Sequence, residues 1–357
     1  MRPGAALVLG AALAQTPACA PSRPLAWQAS MAEASRAFTA GRNREAARAW
    51  DLAATQTPRA RDRQEALFLA AMALARDGDP DGALARLDAV ARDSPDFEHG
   101  ARAHLEAARI RYALPAQRQR GLDELEALCR TRPDTGPARR ALSLISIHLD
   151  EEDPTRARSL AFLARLRGVV QGTGLEDGVR WEEAERLART GRETEAVEAY
   201  EALLTAIPYP RNRHWDDASL AEARLLRERD PRRALAVLNR ALAVREVSLS
   251  NGSYEAPRFL DCAMLRGALL VALGEPEAAA RAYHFVYTDF PTARQRDDAL
   301  WAEAEALGGS APERVCGVLG TLLREFPCTR FGRRALARYG PCGPPPEPSR
   351  EGRARCE

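Results

Sequence analysis

One spacing rule recurs along this chain and restricts what it can fold into. Gly41 is followed by Ala46, Trp50, Ala53 and Pro58, at offsets of five, nine, twelve and seventeen residues. The same offsets link Gly78 to Ala83, Leu87, Val90 and Pro95. They recur from Gly191 through Ala196, Tyr200 and Leu203 to Pro208, and from Gly274 through Ala279, Tyr283 and Val286 to Pro291. A fixed internal period marks a repeat architecture, in which each unit is one supersecondary element stacked on its neighbours. It moves the search for function from a catalytic centre to a surface.

A second small residue stands twelve positions before each alanine: Ala34, Ala71, Ala184 and Gly267. Small residues at both places let two antiparallel helices approach closely, and the bulky residue four further on fills the space against the next unit. Glycine ends the first helix in a left-handed cap, and proline ends the second and starts the next unit. The pattern resembles the tetratricopeptide repeat, a helix–turn–helix of about 34 residues.

Four looser copies fill the gaps. One runs through Tyr112, Gly121, Leu125 and Leu128 to Pro133. Another uses Ile145, Ala157 and Ala164, with Val169 where proline is expected. The third has Ala234, Leu238 and Ala241, with Glu246 at the proline position, and the last runs from Val315, Leu319 and Leu322 to Pro327. The period is about 38 residues, longer than the family norm. The resemblance implies an all-α, right-handed solenoid of about eight units over residues 27–339, closed by a capping helix from Thr329 to Tyr339. The Gly168–Gly178 linker and the 247–257 insertion are where its pitch should change. Residues 340–357, with Pro344 to Pro346, are expected to form a disordered tail.

The N-terminus has a different character. Met1-Arg2 precedes an apolar stretch from Ala5 to Ala14. That is too short for a permanent span and suits a secretory signal over residues 1–19. Two processing routes are open. Ala12-Leu13-Ala14 fits ordinary cleavage and a soluble periplasmic product. Thr16-Pro17-Ala18-Cys19 resembles a lipobox, with Cys19 as lipid anchor and residues 20–26 as tether. Export permits disulfides. Of the cysteines after Cys19, Cys316 begins the second helix of the eighth unit and Cys342 follows the antiparallel capping helix. The two should therefore lie at one end, within bridging distance, whereas Cys129 and Cys262 belong to different units and should not pair.

Catalytic signatures are missing from the sequence. It has no Walker loop, no G-x-G-x-x-G and no H-E-x-x-H, and its five histidines are scattered. His148 with Asp150 to Asp153 reads as a solvated acidic helix end. No catalytic, cofactor or metal residue is therefore assigned. An enzyme would have to use the irregular junctions Pro208 to Trp215 or Val247 to Pro257, where no catalytic set converges. All 52 basic residues are arginine, yet the net charge is only +2, which argues against nucleic acid as partner.

Partner binding is what the resemblance implies instead. Family members bind along a concave face lined by first helices. In this frame the groove positions include Met31, Phe68, Met72, Ile110, Leu142, Trp181, Met264 and Leu300. An apolar groove suits an amphipathic helix or an extended segment; the competing reading is that these side chains pack within the repeat. The lysine–asparagine clamp of chaperone-binding members is missing. Asp289 to Trp301 and Glu325 to Leu336 resemble bacterial envelope members, the barrel-assembly lipoproteins and the Tol–Pal partner. The expectation is a non-enzymatic envelope scaffold, with no cofactor, on the periplasmic side of the outer membrane. A soluble periplasmic adaptor for a cell-wall enzyme or a secretion assembly is the alternative.

Overall fold

A computed structural model describes residues 23–93, 98–244, 258–308 and 311–354. Among these residues every regular element is helical. Cys19, Glu246 and the 247–257 insertion lie outside them. The chain divides into two compact units, one ending at Leu128 and the other beginning at Cys129. The division falls inside a helix, not at Val169, where the closing proline is lost.

The first unit contains α1 (Leu25–Thr39), α2 (Asn43–Thr55), α3 (Ala60–Asp77), α4 (Pro80–Asp93), α5 (Glu98–Ala113) and most of α6 (Arg118–Thr131). The second contains α7 (Gly136–Glu152), α8 (Ala157–Val169), α9 (Glu176–Arg189), α10 (Glu193–Ala206), α11 (Trp215–Leu226) and α12 (Pro231–Leu242). It continues with α13 (Phe259–Ala272), α14 (Pro276–Asp289), α15 (Arg296–Leu307), α16 (Pro312–Glu325), α17 (Gly332–Tyr339) and α18 (Arg350–Ala354). Within each unit neighbouring helices pack on one another, and the last, α18, docks on α16. Helices this long, joined by so few residues, can pack only if they run antiparallel. The fold is all-α, a tetratricopeptide-type succession of helix–turn–helix pairs.

The four glycines that open the strict copies have one shared structural reason. Gly41, Gly78, Gly191 and Gly274 have φ of 77°, 84°, 74° and 74°, a region that L-residues enter at a cost of about 1–2 kcal/mol. In each turn the glycine N–H donates to a carbonyl three residues back, as from Gly78 to Ala75. The following N–H donates five back: Arg42 to Ala37, Asp79 to Leu74, Arg192 to Leu187 and Glu275 to Leu270, all at 2.9–3.0 Å. This Schellman pair satisfies the last carbonyls of the first helix. It also turns the chain at the same angle each time, which lets the offsets stay fixed.

The small positions sit where paired helices cross. Ala34, Ala71, Ala184, Ala46, Ala83, Ala196 and Ala279 are all fully buried. A Cβ at Gly267 would lie 2.5 Å from the Tyr283 ring, so glycine makes room for the aromatic of its own pair. The bulky positions Trp50, Leu87, Tyr200 and Tyr283 are buried too, each contributing roughly 1.5–3 kcal/mol of apolar transfer.

The C-terminal end differs from the sequence expectation. The cap begins at Gly332 rather than Thr329, and α1 begins at Leu25, inside the expected tether. The described part of the tail, to residue 354, is docked rather than disordered. The Ser349 N–H donates to the Arg324 carbonyl at 2.8 Å. Gly352 is buried so closely that a Cβ there would lie 2.6 Å from that same oxygen. Cys316 and Cys342 are joined by a disulfide with Cα atoms 5.6 Å apart, tying α16 to the short turn after α17. Cys328 is disulfide-bonded as well. Cys129 and Cys262 are buried thiols.

Candidate functional site

The expected groove residues divide into covered and open ones. In the first unit Phe68 is 7% exposed, with the Arg102 guanidinium 4.9 Å over its ring. Met31, Met72 and Ile110 are half-buried against the core formed by Ala71, Leu74 and Leu87. In the second unit Leu142 and Leu300 are core residues, at 3% and 1% exposed. Met264 is half-buried beside Tyr283 and Val286. Phe68, Leu142 and Leu300 thus pack within the repeat, as the competing reading has it. The cause is visible at Leu142, whose Cδ2 would lie 3.5 Å from a Cβ on Gly178. Here the first turn of the next first helix covers the position.

Trp181 is half-buried and opens onto a cleft, whose wall the edge of Leu142 also reaches. It projects from α9, and His214 stacks flat on it, with ring centroids 5.1 Å apart and planes 4° from parallel. Tyr200 of α10 lies 5.7 Å from the indole on another side and donates its hydroxyl to Glu185 at 2.7 Å. Burial lowers the pKa of His214 below the usual histidine value, against the nearby Asp177 and Asp217, so the stacked imidazole is neutral at pH 7.

The segment between α10 and α11 holds this arrangement in place. The Asn212 side-chain oxygen accepts the backbone N–H of His214 at 2.9 Å. Arg213 grips Asp177 with two side-chain bonds, Nε to Oδ2 at 3.0 Å and Nη2 to Oδ1 at 2.8 Å, and reaches the Gly174 carbonyl at 3.2 Å. Burial raises the Asp177 carboxyl, but the Arg213 bonds and charge more than reverse this, so it sits below its ordinary value.

Two cavities meet here. One, of about 250 Å³, is bounded by Arg139, Leu142, Leu175, Trp181, Arg213 and His214. The other, of about 640 Å³, carries Arg139, Arg180, Arg211 and Arg213 on its walls, with the 171–174 turn and Ile207. Arg139 and Arg213 border both. Arg139 is lowered from its ordinary value by burial and then by repulsion from Arg213. Sequence reasoning picked out Trp181 and the 208–215 junction but not Arg139, which lies outside the repeat offsets.

Two other residues were readable and missed. Counting twelve back from Ala234 and Val315 gives Glu222 and Glu303, carboxylates at the helix-crossing position. Both are buried, at 0% and 4% exposed. Glu303 has a partner in His284, whose Nδ1 is 3.0 Å from Oε2. The acidic end of α7 is engaged in ion pairs and capping. Asp150 meets Arg186 at 3.0 Å, Glu152 meets Arg158 at 2.7 Å, and Asp153 Oδ2 accepts the Arg158 N–H at 2.9 Å. Among the described residues no group of three or more His, Cys, Asp or Glu is placed to hold a metal ion.

No protein-family model matches this sequence, and no curated protein does. Solved structures that it is similar to include a tetratricopeptide repeat protein from Parabacteroides merdae, at 14% identity over 78% of this chain and 99% of that one, with a TM-score of 0.34. The TPR2AB domain of yeast Sti1, solved in complex with pHSP90, is 14% identical over 82% and 96% of the chains, with a TM-score of 0.31. The P58(IPK) TPR domain is 14% identical over 88% of each chain, with a TM-score of 0.27.

Proposed function

We propose that this chain is a non-enzymatic scaffold that binds segments of partner polypeptides, exported to the bacterial envelope and tethered there through Cys19. One observation carries the binding role. The Trp181–His214 stack lines an open cleft, whereas Phe68 and Leu300 are covered by neighbouring side chains or helices. A half-buried aromatic beside a cleft is the kind of anchor around which interface energy concentrates. Support for export comes from the apolar run Ala5 to Ala14 and from Thr16 to Cys19. Among the described residues no helix is long and apolar enough to cross a membrane. Ala12-Leu13-Ala14 favours a second reading, a soluble periplasmic adaptor.

A photo-crosslinking amino acid at position 181, compared with one at the exposed apolar Ile147 of α7 (56% exposed), tests both parts in a bacterial host. A discrete polypeptide should be captured at 181 and not at 147. With Cys19→Ala the captured product should move from the membrane to the soluble fraction. No capture at 181 contradicts the scaffold reading, and a product that stays with the membrane contradicts the tether.

A further inference from the structure

We propose that the arginine-walled cavity of the second unit binds an acidic segment of the partner polypeptide, with an apolar side chain next to the acid seated against Trp181. This deepens the scaffold reading and rests on it.

The charge on the cavity wall is unbalanced. Four arginines, Arg139, Arg180, Arg211 and Arg213, face two carboxylates, Glu176 and Asp177, leaving an excess of two positive charges. Both carboxylates are already engaged. Glu176 accepts from the Gly172 N–H at 2.7 Å and from Arg180 at 2.8 Å. Asp177 is held by the Arg213 fork. The guanidinium groups of Arg139 and Arg211 make no hydrogen bond or ion pair among the described residues. At Arg139 burial and repulsion from Arg213 outweigh the attraction of Asp177, so a further anion beside it is favoured. A carboxylate meets a guanidinium in two parallel hydrogen bonds and is the anion that polypeptides carry.

The occupant is narrowed further by what adjoins the charge. Because Arg139 and Arg213 border both cavities, a ligand bound to them lies next to the pocket of Leu142, Leu175 and Trp181. A free phosphate would leave that apolar pocket empty. A peptide with an acidic residue within one or two positions of a large apolar one would fill both.

The test uses the mature full-length chain and a panel of fluorescent octapeptides with an aspartate or glutamate adjacent to, or one residue from, a leucine or phenylalanine. Matched peptides carry the amide in place of the acid. The expected result is binding by members of the panel that weakens about tenfold or more on acid-to-amide exchange. Arg139→Gln, and separately Arg211→Gln, should weaken it similarly, with Arg36→Gln in the first unit leaving it unchanged. Both arginines can be replaced without breaking an internal bond, so circular dichroism should match the parent. The proposal is overturned if no panel member binds, if Arg139→Gln and Arg211→Gln both bind as the parent does, or if inorganic phosphate occupies the site as tightly as the peptide. A silent panel with productive crosslinking at 181 would sink this proposal and leave the scaffold reading standing. Silence in both would remove both.

Discussion

Glu222→Gln should remove about 2 kcal/mol from the fall in stability that the parent protein shows between pH 5 and pH 8. Glu222 lies on α11 at the helix-crossing position, with no exposed surface and no hydrogen bond to either carboxylate oxygen. Its neighbours on packed elements are Glu201 of α10 and Arg233 and Arg240 of α12. Arg233 approaches only to 3.8 Å and is committed at 2.8 Å to Glu201. Burial first, and the like charge of Glu201 second, push Glu222 up to about 7.

A raised carboxyl means that the folded chain holds a proton that the unfolded chain releases. At low pH the protonated form carries no charge penalty. The penalty grows as pH rises from the ordinary carboxylate range through about 7 and is complete above it. Discounting for the partial screening that Arg233 and nearby solvent provide, the loss is about 2 kcal/mol. Urea midpoints at pH 5 and pH 8 measure it. The Gln variant should show a correspondingly smaller difference, with Asp216 and Glu303, also raised by burial, supplying the remainder, and Glu222→Leu should exceed the parent at pH 8, because a buried unpaired charge is replaced by packing. An unchanged pH dependence in Glu222→Gln would show that the charge is not buried as described.

Gly121→Ala should be among the most damaging single-methyl changes available in the first unit. A Cβ at Gly121 would lie 2.7 Å from the Ala108 carbonyl oxygen and 2.8 Å from the Tyr112 Cα. These are backbone atoms of α5, so no side-chain rotation relieves the clash and the helices must separate. Overpacking of this kind costs about 1–3 kcal/mol or more. Gly317→Ala in α16 is the control. Its Cβ would meet nothing within 4 Å, so the change should stabilise by roughly 0.5–1 kcal/mol through helix propensity. Equal effects of the two alanines on the unfolding midpoint would contradict the close crossing at Gly121.

These residues also show how far the fold could be read in advance. Gly78 and Ala83 were legible because a left-handed cap and a tight crossing each admit few residue types, so chemistry and position coincide. Gly121 was legible as a small residue, but its tolerance for no Cβ at all depends on the approach of α5, which no local pattern encodes. Glu222 and Glu303 were hidden by the opposite error: the offset pointed to them, but a carboxylate is not expected at a crossing. The docking of Gly352 was illegible because backbone groups make it, and a proline-rich composition says nothing about them. The groove was read from a frame that treats each first helix alone. Once α9 covers Leu142, what remains open is set by the 208–215 junction, where the repeat rule is silent.

The repeat register is the central claim, and disulfide mapping of the oxidised protein tests it most directly. In register, α16 and α17 run antiparallel and bring Cys316 and Cys342 together with Cα atoms 5.6 Å apart. Cys129 and Cys262 sit separately in the interior. Mass mapping without reduction should find the Cys316–Cys342 link, with Cys129 and Cys262 alkylated only after denaturation. A Cys129–Cys262 link, or free alkylation of Cys316 in the oxidised chain, would contradict the register.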